Sequence, residues 1–279
     1  MGSRIAKRLL ARGHAVVVWN RDRAKAEAIA EAGSVVAESP ADAALGAEAV
    51  ITMVRDPEAL EAVTSGRDGV LAGGSSATLI QMSTVGAGAT ARLAGSIPAE
   101  MGFLDAPVLG SISEAESGTL KIYVGGPDDL VGHWRELLSD LGDVLHVGPV
   151  GAGSAAKLVV NAVLVGVIAV LGESLALSKA LGLRQEVTFD VLETTALAAQ
   201  AKRRRQALES GEFPPRFTLS LARKDADLIL EVDPALRVLA AGRAWLAEAE
   251  EVDRGGEDYS VVLAHMLESA DPRRLRSER

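Results

Sequence analysis

Short apolar runs alternate with helical stretches over the first half of the chain. The run AVVVWN at 15–20 is typical of a buried strand, and a helix rich in alanine and charge follows it to about Glu31. Further runs at 34–37, 48–54 and 77–84 repeat this pattern. Because helical stretches separate the strands, the cadence predicts parallel strands with crossover helices, which is a doubly wound α/β sheet.

The order of elements changes along the second half. Residues from about 103 to 147 are rich in strand signals, and beyond 150 helical periodicity takes over. The glycine-rich turn at 148–153 separates the two patterns. We therefore predict an α/β domain over residues 1–150 and an all-helical domain over residues 151–279.

The first predicted element is a helix and not a strand. A dinucleotide-binding domain begins with a strand, the glycine-rich turn GxGxxG and a helix, whereas Met1, Gly2 and Ser3 lead straight into an amphipathic helix. We expect this order after the last glycine of the motif, with the first strand and two glycines missing. A helix-first fold stays open as an alternative. A missing central strand would expose two strand edges and remove backbone that binds the cofactor pyrophosphate.

The segment GPVGAGSAAKLVVN at 148–161 places Lys157 and Asn161 on one face of a helix. Ser154 is the predicted N-cap, which puts Lys157 about three residues into the helix. Within 158–172, Asn161 is the one residue with a polar side chain. A cation near the positive end of a helix dipole is unfavourable, so the pair suggests a site. An exposed first-turn lysine beside a core-edge asparagine is the simpler interpretation.

Composition and charge exclude several kinds of protein. The chain has no cysteine, which rules out disulfides, thiolate zinc sites and cysteine nucleophiles. Its four histidines lack metal-ligand spacing, so we expect no metal. A net charge of −9 disfavours nucleic-acid binding. The basic run 202–205 interrupts that trend, and we interpret it as a solvated helix face.

The chain shows no sign of secretion or membrane insertion. No charged N-terminal region precedes an apolar stretch, which argues against a secretory signal. The uncharged stretch at 158–172 is shorter than the ~20 residues that span a bilayer. We therefore expect a cytoplasmic protein without a membrane partner.

Five motifs, in order along the whole chain, resemble the β-hydroxyacid dehydrogenases, the family of 3-hydroxyisobutyrate dehydrogenase and glyoxylate/succinic semialdehyde reductase. They are Met1-Gly2, MST at 82–84, DAPVLGS at 105–111 continued by GTLKIYVGG at 118–126, the segment at 148–161, and FTLSLARKDADLIL at 217–230. The resemblance implies a Rossmann-like NAD(P)-binding domain without its first strand, followed by a helical domain. It also implies hydride transfer between a nicotinamide cofactor and a small 3-hydroxy acid, aldehyde or semialdehyde.

The resemblance assigns roles to individual residues. Lys157 becomes the catalytic acid and base, since hydride transfer builds negative charge on a carbonyl oxygen that an ammonium can protonate. The substrate-binding residues become Gly110, Ser111 and Asn161. The implied cofactor-binding residues are Met1, Gly2, Asn20, Arg21, Met53, Val54, Thr84 and Lys224.

The residues after the AVVVWN strand bear on cofactor choice. A carboxylate at the end of that strand would bind the ribose 2′-hydroxyl of NAD, and an arginine suits the 2′-phosphate of NADP. The strand ends in Asn20-Arg21, which favours NADP, while Asp22 keeps NAD possible. An ordinary charged helix start is the structural alternative.

One departure from the family qualifies the resemblance. Leu109 stands where the family commonly has a serine that helps hold the substrate carboxylate, and leucine donates no hydrogen bond. A larger or less polar substrate, an imine reductase-like enzyme, or a non-catalytic binding or oligomerisation protein are therefore alternatives, although Lys157 argues against an imine reductase. The helix after Lys157 is more apolar than a monomer requires, which predicts a homodimer or homotetramer.

Overall fold

A computed structural model describes residues 1–73 and 76–270 of the chain. The chain divides into two compact units, Met1–Leu158 and Val159–Arg279. The first unit is α/β and the described part of the second is helical, so the predicted fold class is confirmed. Residues 271–279 of the predicted helical domain lie outside the described residues.

Short strands and helices alternate through the first unit. In chain order they are α1 (Gly2–Ala11), β1 (Val17–Val18), α2 (Arg23–Ala30), β2 (Val35–Val36), α3 (Pro40–Ala44), β3 (Ala49–Thr52), α4 (Pro57–Thr64), α5 (Val70–Gly73), β4 (Thr78–Gln81), α6 (Gly86–Ser96), β5 (Gly102–Asp105), β6 (Val108–Leu109), α7 (Ile112–Ser117), β7 (Leu120–Gly125), α8 (Asp128–Ser139) and β8 (Gly142–Gly148). The next helix, α9 (Ala152–Ala180), begins in this unit.

The strands form two separate sheets. One contains β1 and β2, which pair in parallel, and the other contains six strands in the order β3-β4-β5-β7-β6, with β8 also paired to β7. The β3, β4 and β5 strands are parallel, as the alternation of strands and helices predicts, and β7 pairs with β5 in the antiparallel sense. The division falls between β1 and β3, where a doubly wound sheet places its first strand.

The strand beside this division is less buried than its neighbour. All four residues of β4 are buried, whereas three of the four residues of β3 are only half-buried. Among the described residues, β3 pairs with a strand on one side alone. A sheet edge exposes side chains that an interior strand would cover. AVVVWN also forms a strand over just Val17 and Val18, shorter than predicted, and in the described part of the chain it pairs with β2 alone.

The second unit is built from helices. After α9 these are α10 (Gln185–Leu192), α11 (Ala198–Ser210), α12 (Leu219–Val232), α13 (Arg237–Glu251) and α14 (Val262–Ser269), with a short 3₁₀ turn at Tyr259–Val261 before α14. By length and composition α9 could cross a membrane, with a mean hydropathy of 2.2 over 18 residues, of which 44% are buried.

The basic run on α11 is not wholly solvated, so our interpretation of it is wrong at Arg204. This side chain is buried, its guanidinium donates a hydrogen bond to the Tyr259 hydroxyl, and it lies 4.8 Å from the centre of that ring. It also lies 3.6 Å from a carboxylate oxygen of Asp258. These partners are more than 50 residues away in sequence, so the local charge pattern does not reveal them.

Candidate active site

Helix α9 begins at backbone-contact distance from the sheet. A Cβ atom at Gly153 would lie 2.1 Å from the Asp105 carbonyl oxygen and 2.5 Å from that of Tyr123. At Gly125, a Cβ would approach the Pro149 carbonyl oxygen to 2.6 Å. Because glycine has no Cβ, the start of α9 lies directly against the ends of β5 and β7.

Ser154 is not the N-cap of α9, so that prediction is wrong. The helix begins at Ala152, and the Ser154 amide and hydroxyl donate to the two carboxylate oxygens of Asp105 at 2.6 and 2.7 Å. A carboxylate from the end of β5 therefore binds the first turn, as helix N-termini favour. Asp105 is fully buried. Burial raises the pKa of its carboxyl, opposed by hydrogen bonds from Ser154 and the Gly151 amide.

Lys157 is a buried lysine, which contradicts its interpretation as an exposed first-turn residue. Only 8% of its surface is exposed. It lines a narrow surface cleft together with Ser83, Thr84, Val85, Gly86, Pro107, Ser154 and Leu158. The structure thus places Thr84, a predicted cofactor residue, in the same cleft as the predicted catalytic lysine.

Hydrogen bonds between the ends of β3 and β4 hold the turn that carries Thr84. The Ser83 hydroxyl accepts the Val54 amide at 2.8 Å, and the Gln81 side-chain amide donates to the Ser83 carbonyl at 2.9 Å. Gln81 and Ser83 are both buried. Sequence reasoning missed these two residues, and a glutamine at the end of a buried strand was the available signal.

The start of α1 lies beside the end of β3. A Cβ atom at Gly2 would lie 3.5 Å from the Met53 Cβ, an ordinary contact distance. The Met1 carbonyl accepts the amides of Arg4 and Ile5, which closes the first turn of the helix. The predicted cofactor residues Met1, Gly2 and Met53 are therefore neighbours, next to Val54.

The exposed turn after β1 carries Asn20 and Arg21. The Asn20 side-chain oxygen accepts the Asp22 amide at 2.9 Å, and Lys25 lies 3.3 Å from the Asp22 carboxylate. Arg23 donates to both Glu27 and Glu38. Within the described residues, Arg21 is the one charged side chain of 21–23 without an assigned ion pair.

The predicted substrate loop runs from the end of β6 into α7. Gly110 has a φ of +139°, and a Cβ there would lie 2.7 Å from Leu120, so the position requires glycine. Ser111 caps α7, and its amide donates to the Glu114 carboxylate at 2.7 Å. A hydroxyl that accepts one hydrogen bond can still donate its own proton to a substrate carboxylate. Leu109 is half-buried in β6.

Asp225 connects two predicted site residues in the second unit. The Asn161 side-chain nitrogen donates to Asp225 Oδ2 at 2.6 Å, and Lys224 Nζ lies 2.7 Å from Asp225 Oδ1. Asn161 and Asp225 are each only 2% exposed. Sequence reasoning missed Asp225, although its position among the apolar residues on the buried face of α12 was a signal.

Comparison with known proteins identifies both halves of the chain. Residues 1–151 match the family described as the NAD binding domain of 6-phosphogluconate dehydrogenase. Residues 151–266 match the NAD-binding domain of NADP-dependent 3-hydroxyisobutyrate dehydrogenase. Together the two models cover nearly all of the chain.

Relatives of full and of double length are similar to the chain. It is 30% identical to 3-sulfolactaldehyde reductase of Escherichia coli (strain K12), over 97% of this chain and 94% of that protein. It is also 30% identical to the cytokine-like nuclear factor N-PAC of Aedes aegypti, over 92% of this chain, but it spans only 48% of that longer protein.

Solved structures share the fold. Mycobacterium tuberculosis 3-hydroxyisobutyrate dehydrogenase, recorded with L-serine, is 26% identical with a TM-score of 0.80, over 95% of each chain. An imine reductase from Myxococcus stipitatus is 20% identical with a TM-score of 0.66, a likeness that shows the fold alone. The resemblance read from the sequence is thus confirmed: the chain belongs to the β-hydroxyacid dehydrogenase family of NAD(P)-dependent oxidoreductases.

Proposed function

We propose that Lys157 is the general acid and base for hydride transfer between a nicotinamide cofactor and a small 3-hydroxy acid, aldehyde or semialdehyde. The observation that carries the proposal is a buried lysine in a cleft shared with Thr84. A buried ammonium is costly unless it interacts with other groups, and function is one reason to keep it.

The chain's own residues supply the proton chemistry. When bound, the reduced nicotinamide supplies a hydride to the carbonyl carbon, and the oxidised form accepts one. In reduction, Lys157 Nζ donates a proton to the oxygen as negative charge develops there. In oxidation, the neutral amine takes the alcohol proton.

Several residues fit the cofactor without a metal. The N-terminus of α1, beside Met53, offers first-turn amides of the kind that bind pyrophosphate. Thr84 and Val54 lie on turns joined through Ser83. Thr84 lines the Lys157 cleft, where the nicotinamide must reach.

The substrate should carry an acidic group near the reacting carbon. The relatives named above act on 3-sulfolactaldehyde and 3-hydroxyisobutyrate. The Ser111 hydroxyl and the Gly110 backbone are the proposed anchors for that group, with Asn161 as a further partner. Leu109 adds an aliphatic side chain to this loop and favours a substrate with some apolar surface.

We favour NADP over NAD because of how charges are paired after β1. Lys25 lies close to Asp22, and Arg23 is bound by two glutamates, whereas Arg21 is exposed. An arginine that can turn toward a 2′-phosphate recognises NADP.

We also propose that α9 packs against a second copy of the chain in a cytoplasmic homo-oligomer. Val163, Val170 and Leu177 recur every seven residues and are 46 to 61% exposed. Heptad spacing is typical of a seam between helices. Val170→Lys should reduce the mass measured by light scattering, and Val191→Lys, at an exposed valine outside the seam, should not. Vesicle binding by the parent protein would contradict the proposal.

Replacement of Lys157 tests the catalytic proposal. Lys157→Ala should lower kcat by about 10²- to 10⁴-fold, the usual contribution of a positioned acid or base, and leave the NADPH dissociation constant within about two-fold. Lys202→Ala, at an exposed lysine on α11, is the matched control. Turnover by Lys157→Ala equal to the control would rule out the assignment.

The divided sheet favours a second candidate function, a non-catalytic binding or oligomerisation protein. The two strands beside the division carry backbone edges without strand partners in the described residues, and such edges weaken a cofactor site built on them. Fluorescence titration with NADPH separates the two functions. Saturable binding supports the oxidoreductase, and its absence supports the alternative.

A further inference from the structure

We propose that Asp105 and Ser154 are positioning residues that fix the first turn of α9 and thereby place the Lys157 amine for proton transfer. The inference rests on the proposed catalytic role of Lys157. It concerns two buried polar residues for which the mechanism above has no use.

Asp105 holds the start of α9 from outside the helix. Its carboxylate accepts the Ser154 amide, the Ser154 hydroxyl and a hydrogen bond from the Gly151 amide. The first amides of a helix have no partner within the helix. Here a strand-end carboxylate, fully buried, binds them and ties the helix start to β5.

Ser154 extends this contact to a third element. The Thr90 hydroxyl on α6 lies 2.9 Å from the Ser154 hydroxyl. An ionised carboxylate only accepts, so Ser154 donates to Asp105 and must in turn accept from Thr90. Helix α6 follows directly on the turn that carries Thr84. The chain Thr90–Ser154–Asp105 therefore joins the Thr84 side of the cleft, α9 and the sheet.

Lys157 lies three residues after Ser154, on the next turn of the same helix face. Side chains on a helix lean toward its N-terminus, so the Lys157 stem runs back over the turn that Ser154 fixes. Both residues line the same cleft. A shift of this turn moves the amine, and a misplacement of about 1 Å can cost 10²-fold in rate.

Four variants separate positioning from simple stabilisation. Ser154→Ala removes the shared hydroxyl, and Asp105→Ala removes the acceptor for the first-turn amides. Asp105→Asn is the conservative variant, because its oxygen can accept the Ser154 amide while its nitrogen donates to the hydroxyl. Ser174→Ala on α9 is the matched control, since within the described residues that hydroxyl donates to the helix's own Val170 carbonyl and to no other element.

We expect kcat to fall about ten-fold or more in Ser154→Ala and further in Asp105→Ala, with substrate KM and NADPH affinity within about two-fold of the parent. Asp105→Asn should recover most of the kcat lost in Asp105→Ala, and Ser174→Ala should match the parent. Each variant is measured by single-turnover oxidation of NADPH and by thermal melting.

The outcomes are distinguishable from failure of the proposed function. Lys157→Ala without effect overturns the catalytic role of the lysine itself. If Lys157→Ala is inactive but Ser154→Ala turns over like Ser174→Ala, the positioning role is overturned and the catalytic role stands. A Ser154→Ala variant that loses melting temperature while it keeps the parent kcat also overturns positioning. Should Asp105→Ala not fold, Ser154→Ala and Asp105→Asn decide the matter alone.

Discussion

Two regions of the first unit, the start of α9 and the turn after β1, hold their charged groups in opposite ways. At the start of α9, a fully buried carboxylate binds the helix through hydrogen bonds that join three elements. In the turn after β1, ion pairs lie on the surface, and the short strand before it has a strand partner on one side only, as far as the structure describes the chain. Buried, geometrically fixed contacts are strong, and exposed ion pairs contribute little.

This difference between the two regions indicates which elements of the fold support proton transfer and which support cofactor binding. The lysine region relies on β5, β7 and α6, and neither of these two strands borders the division in the sheet. The turn after β1, which we propose selects the cofactor, lies directly beside that division. Proton transfer should therefore tolerate perturbation near β1 better than cofactor binding does.

Gly153→Ala should cause the largest loss of stability and activity at the start of α9. The new Cβ would lie 2.1 Å from the Asp105 carbonyl oxygen, so α9 must move off the sheet. We expect a loss of about 3 kcal/mol or more in the free energy of unfolding, and loss of turnover, measured by urea denaturation and NADPH oxidation.

Gly132→Ala is the control for this substitution. It places a methyl group in α8 where, apart from the helix's own nearby backbone, no atom of the described residues lies within 4 Å, and should stabilise the protein by up to ~1 kcal/mol. Equal stability of the two glycine variants would show that the start of α9 is not held against the sheet.

Arg21→Asp should change cofactor binding and leave the start of α9 unaffected. We expect NADP affinity to fall about 10- to 100-fold at low salt, the range for hydrogen bonds to a charged group, and NAD affinity to change little. Kinetics with both cofactors measure the ratio. Arg67→Asp, at an exposed arginine elsewhere in the unit, is the control. An unaltered NADP/NAD ratio would remove Arg21 as the phosphate-binding residue.

The smallest expected effect is a change in how the stability of the protein depends on pH. Burial raises the pKa of Asp105, so the folded state holds that proton more tightly than the unfolded chain, and the resulting stability is lost as pH rises. Asp105→Asn does not ionise. The melting temperature of Asp105→Asn, relative to that of the parent, should therefore increase as pH rises from about 4, the ordinary pKa of an aspartate, to neutrality.

The contribution of Asp140 to stability should change with pH in the opposite direction. A hydrogen bond from His14 and the Arg12 guanidinium lower the pKa of its carboxyl. Its contribution to stability is present at neutral pH and is lost on acidification. The melting temperature of Asp140→Asn, relative to that of the parent, should thus decrease as pH rises. Parallel melting curves for both variants at every pH would contradict the two assignments.

The sequence predicts the order of strands and helices well because alternation of apolar runs is a local signal. It also singles out Lys157 and Asn161 as candidates, since polar residues stand out at the start of an apolar helix, and their roles stay predictions. It does not predict the partners of these residues. Asp105 lies 49 positions from Ser154 and Asp225 lies 64 from Asn161, and pairing over such distances depends on the tertiary fold.

The wrong predictions for Ser154 and Arg204 also result from contacts between residues distant in sequence. The local pattern predicts Ser154 as the N-cap, but the carboxylate of a strand-end residue binds the first turn instead. The local charge pattern also predicts a solvated Arg204, whereas Tyr259 and Asp258, which are distant in sequence, surround it in the fold. Roles that the resemblance implies for Thr84, Lys224 and the substrate loop stay predictions until the variants above are measured.

The close approach at Gly153 has a practical consequence for anyone who seeks to retarget this enzyme. No side chain fits there, so the distance between the lysine-bearing helix and the sheet is not an adjustable variable in a mutant library. Diversity is better placed at Leu109, which is half-buried at the end of a two-residue strand and carries no hydrogen bond from its side chain. Directed evolution of substrate scope should begin at that position and keep residues 151–154 constant.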